Sequence, residues 1–266
     1  MVWEIEKKMT NKSKLSFHNG FEIYESNNIK LLTKLRTDIY FEMKKIFKLS
    51  EKNPEKGLNH FHKAVGNLSS KDLNAKRKKL INTVTKKINF GEIIFKAFEK
   101  YLVNNLGPDI IVQKNCNIVI QMPNDPNPSE IHRDAPLNSA YEIVAWIPLV
   151  DCYKSKAMYI LDYPSTKKAL KFLKKNTKDW KKFEIYSKKI KSNPEVKFGQ
   201  GLFFSSCLIH GSDINVEKET RISLNIRFKS LFSPAGKKNQ LQYFKSLKLS
   251  NISNIGIDFE SGNLFD

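Results

Sequence analysis

RISLNIRF, residues 221 to 228, is the stretch that decides how the second half of this 266-residue chain folds. Side chains of an extended strand leave alternate faces, so Ile222, Leu224, Ile226 and Phe228 share one face, and Arg221, Ser223, Asn225 and Arg227 share the other. The apolar set has to cover a core. The polar set either meets solvent or lines a second, partly buried space. In such a space a guanidinium needs an anionic partner, because an unpaired buried charge is costly. Arg grips a carboxylate through two parallel N–H groups and Ser223 adds a hydroxyl, so this face reads as an anion clamp.

Working outward, four more short apolar runs precede it: DIIVQKNCNIVIQM (109–122), EIVAWIPLV (142–150), KAMYILDYP (156–164) and GQGLFFSSCLIHG (199–211). Turn-forming Asn, Asp, Pro and Gly separate them, and no crossover helices intervene, which favours an antiparallel sandwich or barrel. One insertion interrupts the series. Residues 165–194 read as helical, and between Thr166 and Lys197 there are twelve Lys against three acidic residues. The first 106 residues are expected to be mostly helical. NNIKLLTKLRTDIYFEMKKIFKL (27–49) carries apolar residues at helical spacing, LSSKDLNAKRKKL (68–80) forms another helix, and a third begins near Thr83 and ends at Gly107-Pro108. The expected organisation is one domain over 1–266. It has a helical part (1–106), a β core (107–240) with the helical insertion, and a carboxy-terminal extension (241–266).

Composition sets outer limits. A 40% hydrophobic share with 18 Phe indicates a folded chain. Three scattered cysteines without CxxC spacing fit a reduced, cytoplasmic setting, and neither a leader segment nor a membrane span is expected. The net charge of +19 raises the question of a nucleic-acid partner, but the Lys excess is spread along the chain and reads as solvated surface. A nucleic-acid role would need aromatic platforms among the basic residues, and Trp180, Phe183 and Tyr186 are the candidates.

Chemistry concentrates in IHRDA, where His132 and Asp134 leave the same face of an extended chain. The pair reads as a metal half-site, a charge-paired core histidine, or an accident. His210, closing the run GLFFSSCLIHG, completes the first reading: two imidazoles and a carboxylate hold a metal and leave three positions open, as suits non-haem Fe(II). A structural zinc site would be closed by four protein ligands. His60 and His62 in NHFHKA form a weaker HxH that diverges on a helix. Asn117 and Gln121 of the strand NCNIVIQM, with Trp146 and Arg227, are expected to meet a substrate.

HRD at 132–134, LIHGS at 208–212 and Arg221 in RISLNIRF together resemble the HxD…H…R signature of Fe(II)/2-oxoglutarate-dependent oxygenases, in particular the phytanoyl-CoA hydroxylase-like superfamily. RFKSLFSPAGKK (227–238) resembles a bacterial sub-group found among carbohydrate biosynthesis genes. The resemblance covers residues 110–240. It implies a mainly β fold with flanking helices around a double-stranded β-helix (jelly roll), and iron held by His132, Asp134 and His210. It also implies 2-oxoglutarate anchored by Arg221 with help from Ser212 and Ser223, and O2 as the oxidant. Because Asp134 is retained, it speaks against halogenation and implies hydroxylation, with desaturation or ring closure as alternatives. The substrate it points to is a small polar metabolite such as a sugar. The basic insertion is expected to form a mobile lid that favours one bearing phosphate or carboxylate. An alternative on the same fold is a nucleobase-oxidising or nucleic-acid-binding protein.

Overall fold

Residues 19–177, 179–238 and 240–260 are described in the computed structural model. In chain order they form β1 (Phe21–Glu25), α1 (Ile29–Phe47), α2 (Pro54–Asn59), α3 (Phe61–Val65), α4 (Ser70–Lys87), α5 (Phe90–Leu106), β2 (Ile110–Gln113), β3 (Asn117–Gln121), β4 (Ile143–Pro148), β5 (Met158–Ile160), α6 (Tyr163–Lys175), α7 (Trp180–Lys189), β6 (Gln200–Ser205), β7 (His210–Ser212), β8 (Arg221–Ser230), α8 (Gln240–Tyr243), β9 (Phe244–Lys248) and α9 (Asn251–Glu260).

β8 is the axis of the molecule. On one side it pairs with β4 from Ser223 to Phe228. On the other it pairs first with β3, opposite Arg221 to Asn225, and then with β2, opposite Phe228 to Ser230. The seven-stranded antiparallel sheet continues outward through β6 to β1 at one edge and through β2 to β9 at the other. β5 and β7 form a separate two-stranded sheet. The alternation in RISLNIRF is realised: Ile222, Leu224, Ile226 and Phe228 are fully buried in the main core. α5, with Ile94, Phe98 and Leu102, lies against the large sheet, and α1 packs on α5 through the same apolar cluster, to which Leu32, Leu35 and Ile39 belong.

Several expectations are corrected. The protein is mixed α and β, not mainly β, because the helices form a full layer under the large sheet. The first part, expected to be mostly helical, contains five helices and also β1, which pairs with β6 through Phe21↔Phe204 to Glu25↔Gln200. Residues 1–18 of that part lie outside the described residues. Thr83 belongs to α4, and the next helix starts only at Phe90, since Ile88 is extended and Asn89 lies outside helical backbone angles. That break lets α4 pack on α1 while α5 runs beneath β2 and β8. GQGLFFSSCLIHG is two strands on two sheets, and the carboxy-terminal extension supplies an edge strand, β9, to the large one.

The insertion is helical, as expected, but it is not a cover. Asp162 caps α6 by accepting from Ser165 N (2.8 Å), and Asp179 caps α7 by accepting from Lys182 N (3.1 Å). Ala169 and Phe183, with Leu170, Leu173 and Tyr186 beside them, pack on Ile131, Tyr159, Leu161 and Ile209 in a second apolar cluster. These four lie on the outer face of the small sheet. Their neighbours His132, Met158 and His210 point the other way, into the cavity described below. The lid expectation is therefore corrected: the hairpin is a buttress behind the small sheet. Among the described residues no helix is long and apolar enough to cross a membrane.

Candidate metal centre and anion site

The segment before His132 runs antiparallel to β7. His132 and His210 exchange both backbone hydrogen bonds at 3.0 Å, and Ser212 N donates to Ser129 O at 2.9 Å. This places the two imidazoles side by side, with ring centroids 4.2 Å apart. Gly211 allows the approach, because a Cβ there would lie 2.5 Å from the Tyr159 hydroxyl and 3.1 Å from Glu130 O. His132, Asp134 and His210 each offer a ligand atom, all within 4.8 Å of one another, and His132 Nε2 is 3.9 Å from Asp134 Oδ1.

The chemistry of the donor set fits a metal ion. Nδ1 of His132 faces Glu130 O at 2.7 Å, and Nδ1 of His210 faces Leu208 O at 3.0 Å. A carbonyl only accepts, so each Nδ1 carries a proton and each Nε2 is the nitrogen left to face a metal. Burial, and then the neighbouring His132 ring, hold the His210 pKa well below its ordinary value, which keeps that imidazole neutral. Asp134 is almost enclosed, its side chain 9% exposed, whereas that of His132 is 42% exposed and marks the open side.

Beside this cluster lies a cavity of about 200 Å³, bordered by Asn117, Trp146, Met158, Ser212, Arg221 and Asn225 together with the two histidines. Arg221 is 2% exposed, and its Nη2 donates to Ser212 Oγ at 2.9 Å. Its Nε and Nη1 are buried without any hydrogen-bond partner, and among the described residues no acidic side chain pairs with it. Burial alone pulls its pKa down. A guanidinium so placed is costly unless an anion enters from the cavity. Ser223 is also fully buried and its hydroxyl is unpartnered.

The other candidates separate. Asn117 and Trp146 border the cavity. Gln121 does not: its amide donates to Asp213 O at 2.7 Å, tying β3 to the loop after β7. Arg227 borders the cavity, but its donors are committed within the protein. Nε and Nη2 donate to Asp134 Oδ2 at 3.2 and 2.8 Å, and Nη1 donates to Gln113 Oε1 at 3.0 Å. His62 turns to Thr220, its Nδ1 2.9 Å from the hydroxyl. Among the aromatics of the insertion, Phe183 is buried and Tyr186 stacks on Phe172 at 4.3 Å, which leaves Trp180 alone as an exposed ring.

Sequence reasoning missed Asn225, Ser129 and Met158 at the cavity, and Glu142 near Arg227. Asn225 lay in view on the polar face of RISLNIRF. Glu142 carried no signal, because its place depends on strands joined only in the fold.

No protein-family model and no curated protein matches the chain. Solved structures do. ThoJ, described as a non-heme monooxygenase, matches as its nickel complex with a TM-score of 0.53 and 13% identity over 87% of this chain and 81% of that one. Its apo form gives 0.53 and 12% over 88% and 82%. EctD from S. alaskensis, in its apo form, gives 0.50 and 10% over 88% and 85%. The likeness is one of fold: this chain shares an overall architecture with ThoJ and EctD over most of its length.

Proposed function

We propose that the protein is a non-haem Fe(II)/2-oxoglutarate-dependent dioxygenase built on a double-stranded β-helix, and that it hydroxylates a small polar metabolite, of which a sugar is the leading class. The observation that carries this is the pairing of two features on one cavity wall. His132 and His210, whose ligand atoms converge with that of Asp134, border the same cavity as a buried guanidinium, Arg221, that has two donor atoms without a partner and, among the described residues, no acidic one. The first suits an ion with open positions, and the second suits the distal carboxylate of a dicarboxylic acid.

In this reading His132 and His210 supply neutral Nε2 donors, and Asp134 supplies one charge. Arg221, with Ser212 already on its Nη2, receives the carboxylate of 2-oxoglutarate and fixes which end of that molecule reaches the metal. The iron and 2-oxoglutarate supply oxygen activation and removal of hydrogen from carbon. Trp146 and Met158 give the cavity an apolar wall that excludes water, and Asn117 and Asn225 offer neutral amides suited to hydroxyl groups.

The test is succinate formation from 2-oxoglutarate, with Fe(II), ascorbate and air. The wild type is expected to form succinate slowly even without its substrate, and Asp134→Ala and His210→Ala are expected to lose this by at least about a hundredfold. Full activity in Asp134→Ala, or no iron-dependent succinate from the wild type, overturns the proposal.

A further inference from the structure

We infer that Arg227 is a positioning residue that fixes Asp134 as a one-oxygen metal ligand. The inference rests on the metal reading proposed above and goes beyond it by assigning a task to a residue that is not itself a ligand.

Two arginines leave the same face of β8, six residues apart, and they are in opposite states. Arg221 has unused donors facing a cavity. Arg227 has none to spare at its key atoms. Its Nε and Nη2 both close on Asp134 Oδ2, at 3.2 and 2.8 Å, so that oxygen is occupied and Oδ1 is the one nearer His132 Nε2, at 3.9 Å. A carboxylate free to rotate can take two coordination positions on one ion. Held by one oxygen, it takes a single position and leaves more of the coordination sphere for other ligands.

The guanidinium is itself anchored, which makes it an effective clamp. Nη1 donates to Gln113 Oε1 on β2 at 3.0 Å and lies 3.4 Å from the Tyr243 hydroxyl, at the end of α8. It is also the counter-charge of a second acid. Glu142 Oε2 lies 3.9 Å from Arg227 Nε, is buried, and has no hydrogen-bond partner of its own. Removing the guanidinium would take both paired N–H groups away from Asp134 Oδ2 and leave that carboxylate free to turn.

The experiment is calorimetric titration of the full chain with Mn(II), without oxygen or 2-oxoglutarate, so that the readout is affinity and not turnover. Arg227→Gln is expected to bind Mn(II) about ten- to a hundredfold more weakly than the wild type. Arg227→Lys should fall between the two, because an ammonium keeps the charge but not the paired N–H groups. Ile226→Val, a buried change on the apolar face of the same strand, is expected to keep wild-type affinity, which separates clamping from general loosening of β8. Circular dichroism checks that each variant is folded; if Arg227→Gln is not, Arg227→Lys decides, and wild-type affinity in it overturns the inference. Wild-type affinity in folded Arg227→Gln does the same and leaves the metal reading standing. A wild type that binds no Mn(II) overturns both.

Discussion

Arg221 is a residue whose cost and use are opposite sides of one fact. Its guanidinium is 2% exposed with two unpartnered donors, so the anion-free protein carries an uncompensated buried charge. Replacing it with an apolar side chain of similar length removes that charge. Arg221→Met is therefore expected to melt at or above the wild-type temperature when no anion is present. With Mn(II) in place of iron and 2-oxoglutarate at about a hundred times its Kd, the wild type is expected to gain roughly 5–10 °C, and the variant almost nothing. Thermal melts of both proteins with and without 2-oxoglutarate check this. A variant that gains as much as the wild type would show that the anion sits elsewhere. The buried thiols Cys116 and Cys152, by contrast, are inert parts of the core, since burial pushes both pKa values up to about 12.

At the scale of elements, the small sheet explains why the insertion exists. Two paired three-residue strands, β5 and β7, present a ligand on one face and need cover on the other, and a sheet that small cannot stand alone. α6 and α7 provide the cover through Phe183 and Ala169. The Lys residues on their outer faces then have no part in reaching the cavity. Phe183→Ala is expected to cost about 3 kcal/mol and to weaken Mn(II) binding by loosening the strand that holds His210. Changing Lys174, Lys175, Lys181 and Lys182 together to Gln should leave both the stability and the salt dependence of succinate formation within error of the wild type. A salt dependence that disappears in the Lys variant would restore the lid. The helical nature of this stretch was legible in its spacing and caps; its position was not. Which face of KAMYILDYP meets it depends on pairing with β7, about fifty residues away. β1 was hidden for a related reason: FEIYE is five residues long, and its partner β6 lies some 180 residues on. RISLNIRF, in contrast, declared both its faces because its alternation runs long enough to be read alone.

Over the whole molecule, the ligands and the anion clamp could be read from local patterns, while what holds them could not, since those contacts join distant parts of the chain. Arg227 reaches Asp134 across 93 residues, and the start of β8 is tied to the helical layer by a still wider set. Lys156, fully buried, donates to Asn59 Oδ1 at 2.8 Å and pairs with Glu219 Oε2 at 2.7 Å. Thr220 N donates to Asn59 O at 2.8 Å, and the Thr220 hydroxyl meets His62. Arg221 follows directly. The helices and the sheet also share one apolar cluster, in which α5 lies against β8 and α1 packs on α5. These ties make the two layers one cooperative unit. Calorimetric melting of the full chain is expected to show a single transition with equal calorimetric and van't Hoff enthalpies. Lys156→Met removes the central tie and leaves Glu219 partly reachable by water, so the loss should be about 2 kcal/mol, or roughly 4–8 °C, with the transition still single. Two transitions, in the wild type or the variant, would mean that the helical layer folds apart from the sheet and that Arg221 is positioned by the sheet alone.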